Sequence, residues 1–129
     1  MANRNVRSGF RIYDAVLNNI EKAAQNALVK TAEALHTEVV QAQVVPRDTG
    51  TLQNEKFFVD DEEKDSGSAS LVFEGPYARR LYYHPEYNFQ TRENTSAKGR
   101  WLEQWLPGGI SESFVQETFT AIFKREAGL

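Results

Sequence analysis

From Asp14 to Ala42, apolar or small side chains recur at Leu17, Ile20, Ala24, Ala27 or Leu28, Thr31, Leu35, Val39 and Ala42, a spacing close to the helical period. Neither Gly nor Pro interrupts the run, and Asn18, Asn19, Glu21, Lys22, Gln25, Asn26, Lys30 and Glu33 fill its other faces. The pattern predicts one amphipathic helix. Pro46 disfavours helical geometry at Val45, so the helix is expected to stop there or shortly before. A helix of roughly 30 residues is about 45 Å long, whereas a compact domain of this chain length has a radius of gyration of about 14 Å. Either the helix bends near Ala32 to Ala34, or it overhangs its domain and leaves apolar surface for a second copy or a partner protein to cover.

The stretch Val44-Val45-Pro46-Arg47-Asp48-Thr49-Gly50-Thr51-Leu52-Gln53 follows. A phosphate-cradling loop wants several glycines and a helix beginning just after it, because the free amides of that helix bind the anion. Here a single glycine follows a helix and leads into a strand pattern, so Pro46, Asp48, Thr49 and Gly50 read as an architectural turn: Asp accepts from the backbone and Gly tolerates positive φ. Leu52 to Val59 and Ala69 to Phe73 read as two strands joined by the polar connection Asp60-Asp61-Glu62-Glu63-Lys64-Asp65-Ser66-Gly67-Ser68. The acids of that connection lack the alternation, central Gly and terminal Glu of a calcium loop and read as a solvated hairpin connection.

Gly75-Pro76 closes the second strand, Tyr77 to Tyr83 reads as a short helical turn, and Tyr87 to Thr91 as a third strand. Arg100 to Leu106 reads as a second short helix or an edge element. A C-terminal helix, capped by Ser111 or Ser113, carries Phe114, Val115, Phe119, Ile122 and Phe123 on its apolar face and Lys124 and Arg125 in its last turn. The expected fold is α+β: a long N-terminal helix, a small antiparallel sheet of about three to four strands, and a C-terminal amphipathic helix packed on the sheet. Residues 1–12 read as a flexible basic arm bearing Arg4, Arg7 and Arg11, and residues 13–129 as a single domain. Residues 92–100 have few apolar anchors and, like the arm, are expected to order on assembly.

The 129 residues contain no cysteine, which excludes disulfides, thiolate metal sites and a cysteine nucleophile. No apolar run approaches the roughly 20 residues of a membrane span, so no membrane partner is expected and the chain reads as soluble and intracellular. Of the two histidines, His36 has Val40 and Ala32 one turn away, not a second ligand, and reads as a helix-surface or interface residue. His84 stands beside Glu86 with no nucleophile in a defined relation to it. No catalytic, cofactor or metal residues are assigned, and the chain does not read as an enzyme. The segment Gly75 to Arg92 interleaves Arg79, Arg80 and Arg92 with Tyr77, Tyr82, Tyr83, Tyr87 and Phe89. Core packing, a protein interface and stacking on nucleic acid all suit these types. A net charge of -3 and a pI near 5.4 weigh against a dedicated nucleic-acid binder. Arg79, Arg80, Tyr82, Tyr83 and Tyr87 form the candidate interface.

Taken in order, the long helix, the Pro46-Arg47-Asp48-Thr49-Gly50-Thr51-Leu52 corner, the hairpin, Gly75-Pro76-Tyr77-Ala78, the tyrosine-rich tract ending Asn88-Phe89-Gln90-Thr91, Trp101 and the C-terminal helix resemble the small minor capsid, or neck, proteins of long-tailed bacteriophages. The likeness runs from about Tyr13 to Lys124. It implies a virion structural role without catalysis, as a head-to-tail connector or tail-completion subunit. Such a subunit sits in an oligomeric ring in the neck, between neck or portal-side proteins and tail proteins. Genomic DNA passes through the channel without sequence-specific binding, and assembly takes place in the host cytoplasm. The competing expectation is a nucleic-acid-binding accessory protein that uses Arg79, Arg80 and the neighbouring tyrosines.

Overall fold

The computed structural model describes residues 14–46, 56–89 and 91–129. Helix α1 (Asp14–Gln41) is followed by strands β1 (Phe57–Asp60) and β2 (Ser70–Phe73), helix α2 (Pro76–Tyr82) and helix α3 (Ser113–Ala127). Short 3-10 turns at Lys64–Ser66 and Glu103–Trp105 interrupt the connections. The class is α+β, as expected. Of the proposed turn residues, Pro46 is described and buried. Asp48, Thr49 and Gly50 lie outside the described residues, as does the basic arm with Arg4, Arg7 and Arg11.

α1 is continuous through Ala32 to Ala34, and its 28 residues span about 42 Å. Its buried residues, Ala23, Ala27, Thr31 and Val39, are separated by steps of four or eight. Each step of four turns about 40° past a full revolution, so the buried stripe winds around the helix and meets different partners along its length. α1 packs chiefly against α3, and near its C-terminal end His36 stacks on Phe57 of the hairpin. The Thr31 hydroxyl is satisfied internally, donating to the Ala27 carbonyl at 2.6 Å. Ala27 is fully buried, so Ala27→Leu is expected to wedge this layer apart and cost about 1–3 kcal/mol, measured as a lowered denaturant midpoint with an unchanged m-value.

The sheet is smaller than expected. Among the described residues it has two antiparallel strands, with Phe57 opposite Phe73 and Asp60 opposite Ser70. The third strand expected from Tyr87 to Thr91 does not form in the described part of that segment. Past Pro85 the chain turns, the Tyr87 amide donates to the His84 carbonyl at 3.1 Å, and the Tyr87 ring folds back onto His84. α3 also departs from expectation, resting chiefly on α1 and not on the sheet. Within the sheet, Phe57 is sandwiched between His36 and Phe73, with centroids 4.1 and 4.0 Å away. Nor does a serine cap α3. Glu112 is the capping residue and makes no side-chain cap, because its carboxylate accepts from the Gly108 amide at 2.8 Å. At the other end Gly128, with φ of 76°, closes the helix in the left-handed region.

The core gathers Val39 from α1, Val44 and Val45 from just past its end, Phe57 from β1, Ala78 from α2, and Trp101 and Trp105. Aromatic rings run through it in sequence: His36, Phe57, Phe73, Trp101 and Tyr82 each touch the next. His36 is therefore an internal link, its ring on Phe57 and its Nε2 3.2 Å from the Phe57 carbonyl, and not a free helix-surface residue. The segment 92–100 is also tied down within the single chain. The Ser96 and Lys98 amides donate to the Gln43 and Val44 carbonyls at 3.1 Å each, and buried Asn94 donates to the Val45 carbonyl at 2.7 Å. Polar anchors hold this segment where apolar ones are few. Gly99 lies so close to Pro85 that a Cβ would fall 2.5 Å from the Pro85 Cα.

Candidate functional site

α2 is built to show one face. Gly75, at φ of 89°, makes the turn into it, and Pro76 occupies its first helical position. Ala78 points into the core, and Leu81 and Tyr82 pack half-buried against it. Tyr77, Arg79, Arg80 and Tyr83 are left outside. The five residues of the candidate interface therefore divide. Tyr82 is a packing residue, edge-on to Trp101 at 4.9 Å, and burial pushes its phenol pKa up, with Glu103 adding to the effect. Arg79, Arg80, Tyr83 and Tyr87 are on the surface.

The turn after α2 brings Tyr87 back beside that exposed face. Its hydroxyl lies beside the Arg80 side chain and holds the guanidinium pKa above even its usual value. His84 stacks on the Tyr87 ring, 4.7 Å between centroids and 8° between planes. Arg100 completes the surface from a distant point in the sequence. Its amide donates to the Tyr82 carbonyl at 2.8 Å, and its guanidinium lies 5.6 Å from the Tyr83 ring centroid, a cation–π contact. Sequence reading missed Arg100 because nothing local marks it. Its backbone is left-handed, with φ of 48°.

The His84 Nδ1–H donates to the Glu86 carboxylate at 2.7 Å, and this bond holds the Glu86 pKa below the usual carboxylate range. A depressed acid contributes stability that is present above its unfolded pKa and is lost as pH falls through its folded pKa. Both side chains are solvent-exposed, so the effect on the melting temperature is small and the titration itself is the readout. His84→Ala is expected to return the Glu86 carboxyl to its ordinary range in a carbon-detected NMR titration. An unchanged curve would show that the bond does not form in solution.

A second feature is a trough where α1, the hairpin, the Glu103–Trp105 turn and α3 meet. Its larger end, about 300 Å³, is walled by Leu28, Leu35, Leu71, Leu102, Trp105 and Val115. Its smaller end, about 210 Å³, shares Leu28 and adds Phe119, with Glu21, Lys64 and Asp65 at the margin. The acidic connection Asp61 to Asp65 beside it is exposed. It turns on the Asp60 carboxylate, which accepts from the Glu62 amide at 3.0 Å. Among the described residues, no group of three or more His, Asp or Glu side chains could hold a metal ion, and no helix is long and apolar enough to cross a membrane. No family model, curated protein or solved structure matches the chain.

The chemistry on offer is that of contact. Arginines and tyrosines stand side by side on one surface and an apolar trough opens on another, the mixture of side chains that suits association.

Proposed function

We propose that the chain is a virion structural protein, a minor capsid or neck subunit that joins head to tail of a long-tailed bacteriophage around the DNA channel. One observation carries the reading: the helical layer is half-finished. α3 has no buried residue along its length, and Val16, Leu17 and Ile20 of α1 are 44–48 % exposed. Apolar helix faces left in this state are ordinarily completed by a neighbour, and self-association into a ring supplies one. The order of motifs set out above supports the same role, with neck or portal-side and tail proteins as further neighbours. Disrupting the gene in a phage that carries it is expected to leave filled heads and free tails unjoined in electron micrographs. Normal yields of joined particles would overturn the proposal. The acidic hairpin connection fits a surface past which DNA slides, since like charge prevents adhesion.

The second reading, a nucleic-acid-binding accessory protein, is favoured by the adjacency of Arg79, Arg80 and Arg100 to the exposed rings of Tyr77, Tyr83 and Tyr87. It expects DNA binding that weakens steeply with salt and with replacement of Arg79 and Arg80. Glu86, also exposed beside them, makes this surface less cationic than its arginine count suggests.

A further inference from the structure

We propose that the trough between α1, the hairpin and α3 seats the N-terminal segment, residues 4–13, of a second copy of the chain. The proposal deepens the self-association in the function proposed above and is independent of where in a particle that association occurs. Two observations select this occupant over an unrelated partner. The first is chemical complementarity. The trough is apolar along its floor and carries Glu21, Lys64 and Asp65 at its smaller end, next to the exposed acids Asp61, Glu62 and Glu63, so that acids outnumber the one lysine. Residues 4–13 alternate cations with apolar side chains, Arg4, Arg7 and Arg11 among Val6, Phe10 and Ile12, and contain no acid. Such a segment can lay its apolar side chains on the floor while its arginines meet the acidic rim.

The second is reach. Along α1, Leu28 lies about 21 Å and Leu35 about 32 Å from Asp14. Phe10 is four residues before Asp14, and four fully extended residues span at most about 14 Å. The segment's aromatic anchor therefore falls short of its own chain's larger trough end, where Leu35, Leu102 and Trp105 stand. A neighbouring copy has no such restriction. Donation of the segment from copy to copy is a head-to-tail contact, which closes into a ring when the rotation permits. It also brings the exposed Val16, Leu17 and Ile20 of the donor towards the acceptor.

The test is photo-crosslinking in the full chain, with a benzophenone amino acid at position 10 and equal mixing of nitrogen-14 and nitrogen-15 copies. Crosslinks are expected between differently labelled copies, onto Leu28 to Leu35 and Leu102 to Leu106. Deleting residues 1–12, or filling the trough with Ala69→Trp, is expected to weaken association at least tenfold in sedimentation equilibrium while far-UV circular dichroism is kept. Association should also weaken from 0.05 to about 0.5 M salt as charges are screened. Crosslinks confined to one label, or falling outside the trough in a protein that still self-associates, would overturn the seating and leave self-association standing. A chain that is monomeric at every concentration would overturn both.

Discussion

Trp101→Ala is expected to lower stability by about 3–5 kcal/mol and the melting temperature by roughly 10–20 °C. Trp101 is 1 % exposed and joins two parts of the core, meeting Phe73 of the hairpin edge-on at 5.3 Å and Tyr82 of α2 at 4.9 Å. Truncation removes the transfer free energy of the indole and leaves a cavity that neither neighbour can fill, since each is held by a further ring. A domain of this size has only about 5–15 kcal/mol of net stability, so the loss is a large part of the whole. Trp101→Phe separates ring from polar group. The indole nitrogen is buried without a hydrogen-bond partner among the described residues, and an unsatisfied buried donor costs about 1–3 kcal/mol. Phe keeps an aromatic ring for the edge-on contacts and deletes that donor, so it should lose less than half of what Ala loses. Equal losses in thermal unfolding would mean that the nitrogen has an acceptor and that its bond holds the site.

Phe57→Ala is expected to cost about 3–5 kcal/mol as well, with a different signature. Phe57 is the ring by which the hairpin is attached to α1, stacked on His36 from the helix and on Phe73 from the partner strand. Each such pair contributes about 0.5–1.5 kcal/mol beyond area burial. A two-stranded hairpin is marginal in water when nothing packs against it. The variant should lose amide protection first in Phe57–Asp60 and Ser70–Phe73, with α1 and α3 retaining theirs in hydrogen exchange. Uniform loss across all elements would show that the hairpin and the helical layer unfold as one unit. Because Phe57 and Trp101 both touch Phe73, their effects should not add, and the double variant measures the coupling.

The parts of this fold that were legible in the sequence are those fixed by neighbours along the chain. The helical period from Asp14, the stop before Pro46, the strands around Phe57–Asp60 and Ser70–Phe73, the Gly75-Pro76 entry to α2 and the apolar face of α3 all depend on local spacing. What the sequence hid was the choice of partner. α3 has an apolar stripe that would fit a sheet or a helix. It rests chiefly on α1, whose buried residues include the small Ala23 and Ala27. The tyrosine tract was legible as a mixture of core and surface. Its sorting into Tyr82 inside and Tyr83 and Tyr87 outside depends on where Trp101 and Arg100 arrive. The segment 92–100 was illegible because its attachment uses backbone amides and Asn94, which leave no hydrophobic pattern.

That attachment also sets an order of events during synthesis. Gln43, just past the end of α1, holds a left-handed backbone with φ of 57°, and its side-chain oxygen accepts from the Thr95 hydroxyl at 2.9 Å. Asn94 reaches back 49 residues to the Val45 carbonyl. Closing a loop of that length carries a substantial entropy penalty before any contact repays it. On a translating ribosome, α1 emerges first with these carbonyls unpaired, and they acquire their donors only after residues 94–98 have cleared the exit tunnel. The corner where the first helix ends is thus fastened only after the hairpin and α2 have emerged, and a product truncated after residue 93 would lack the donors that meet the Gln43, Val44 and Val45 carbonyls.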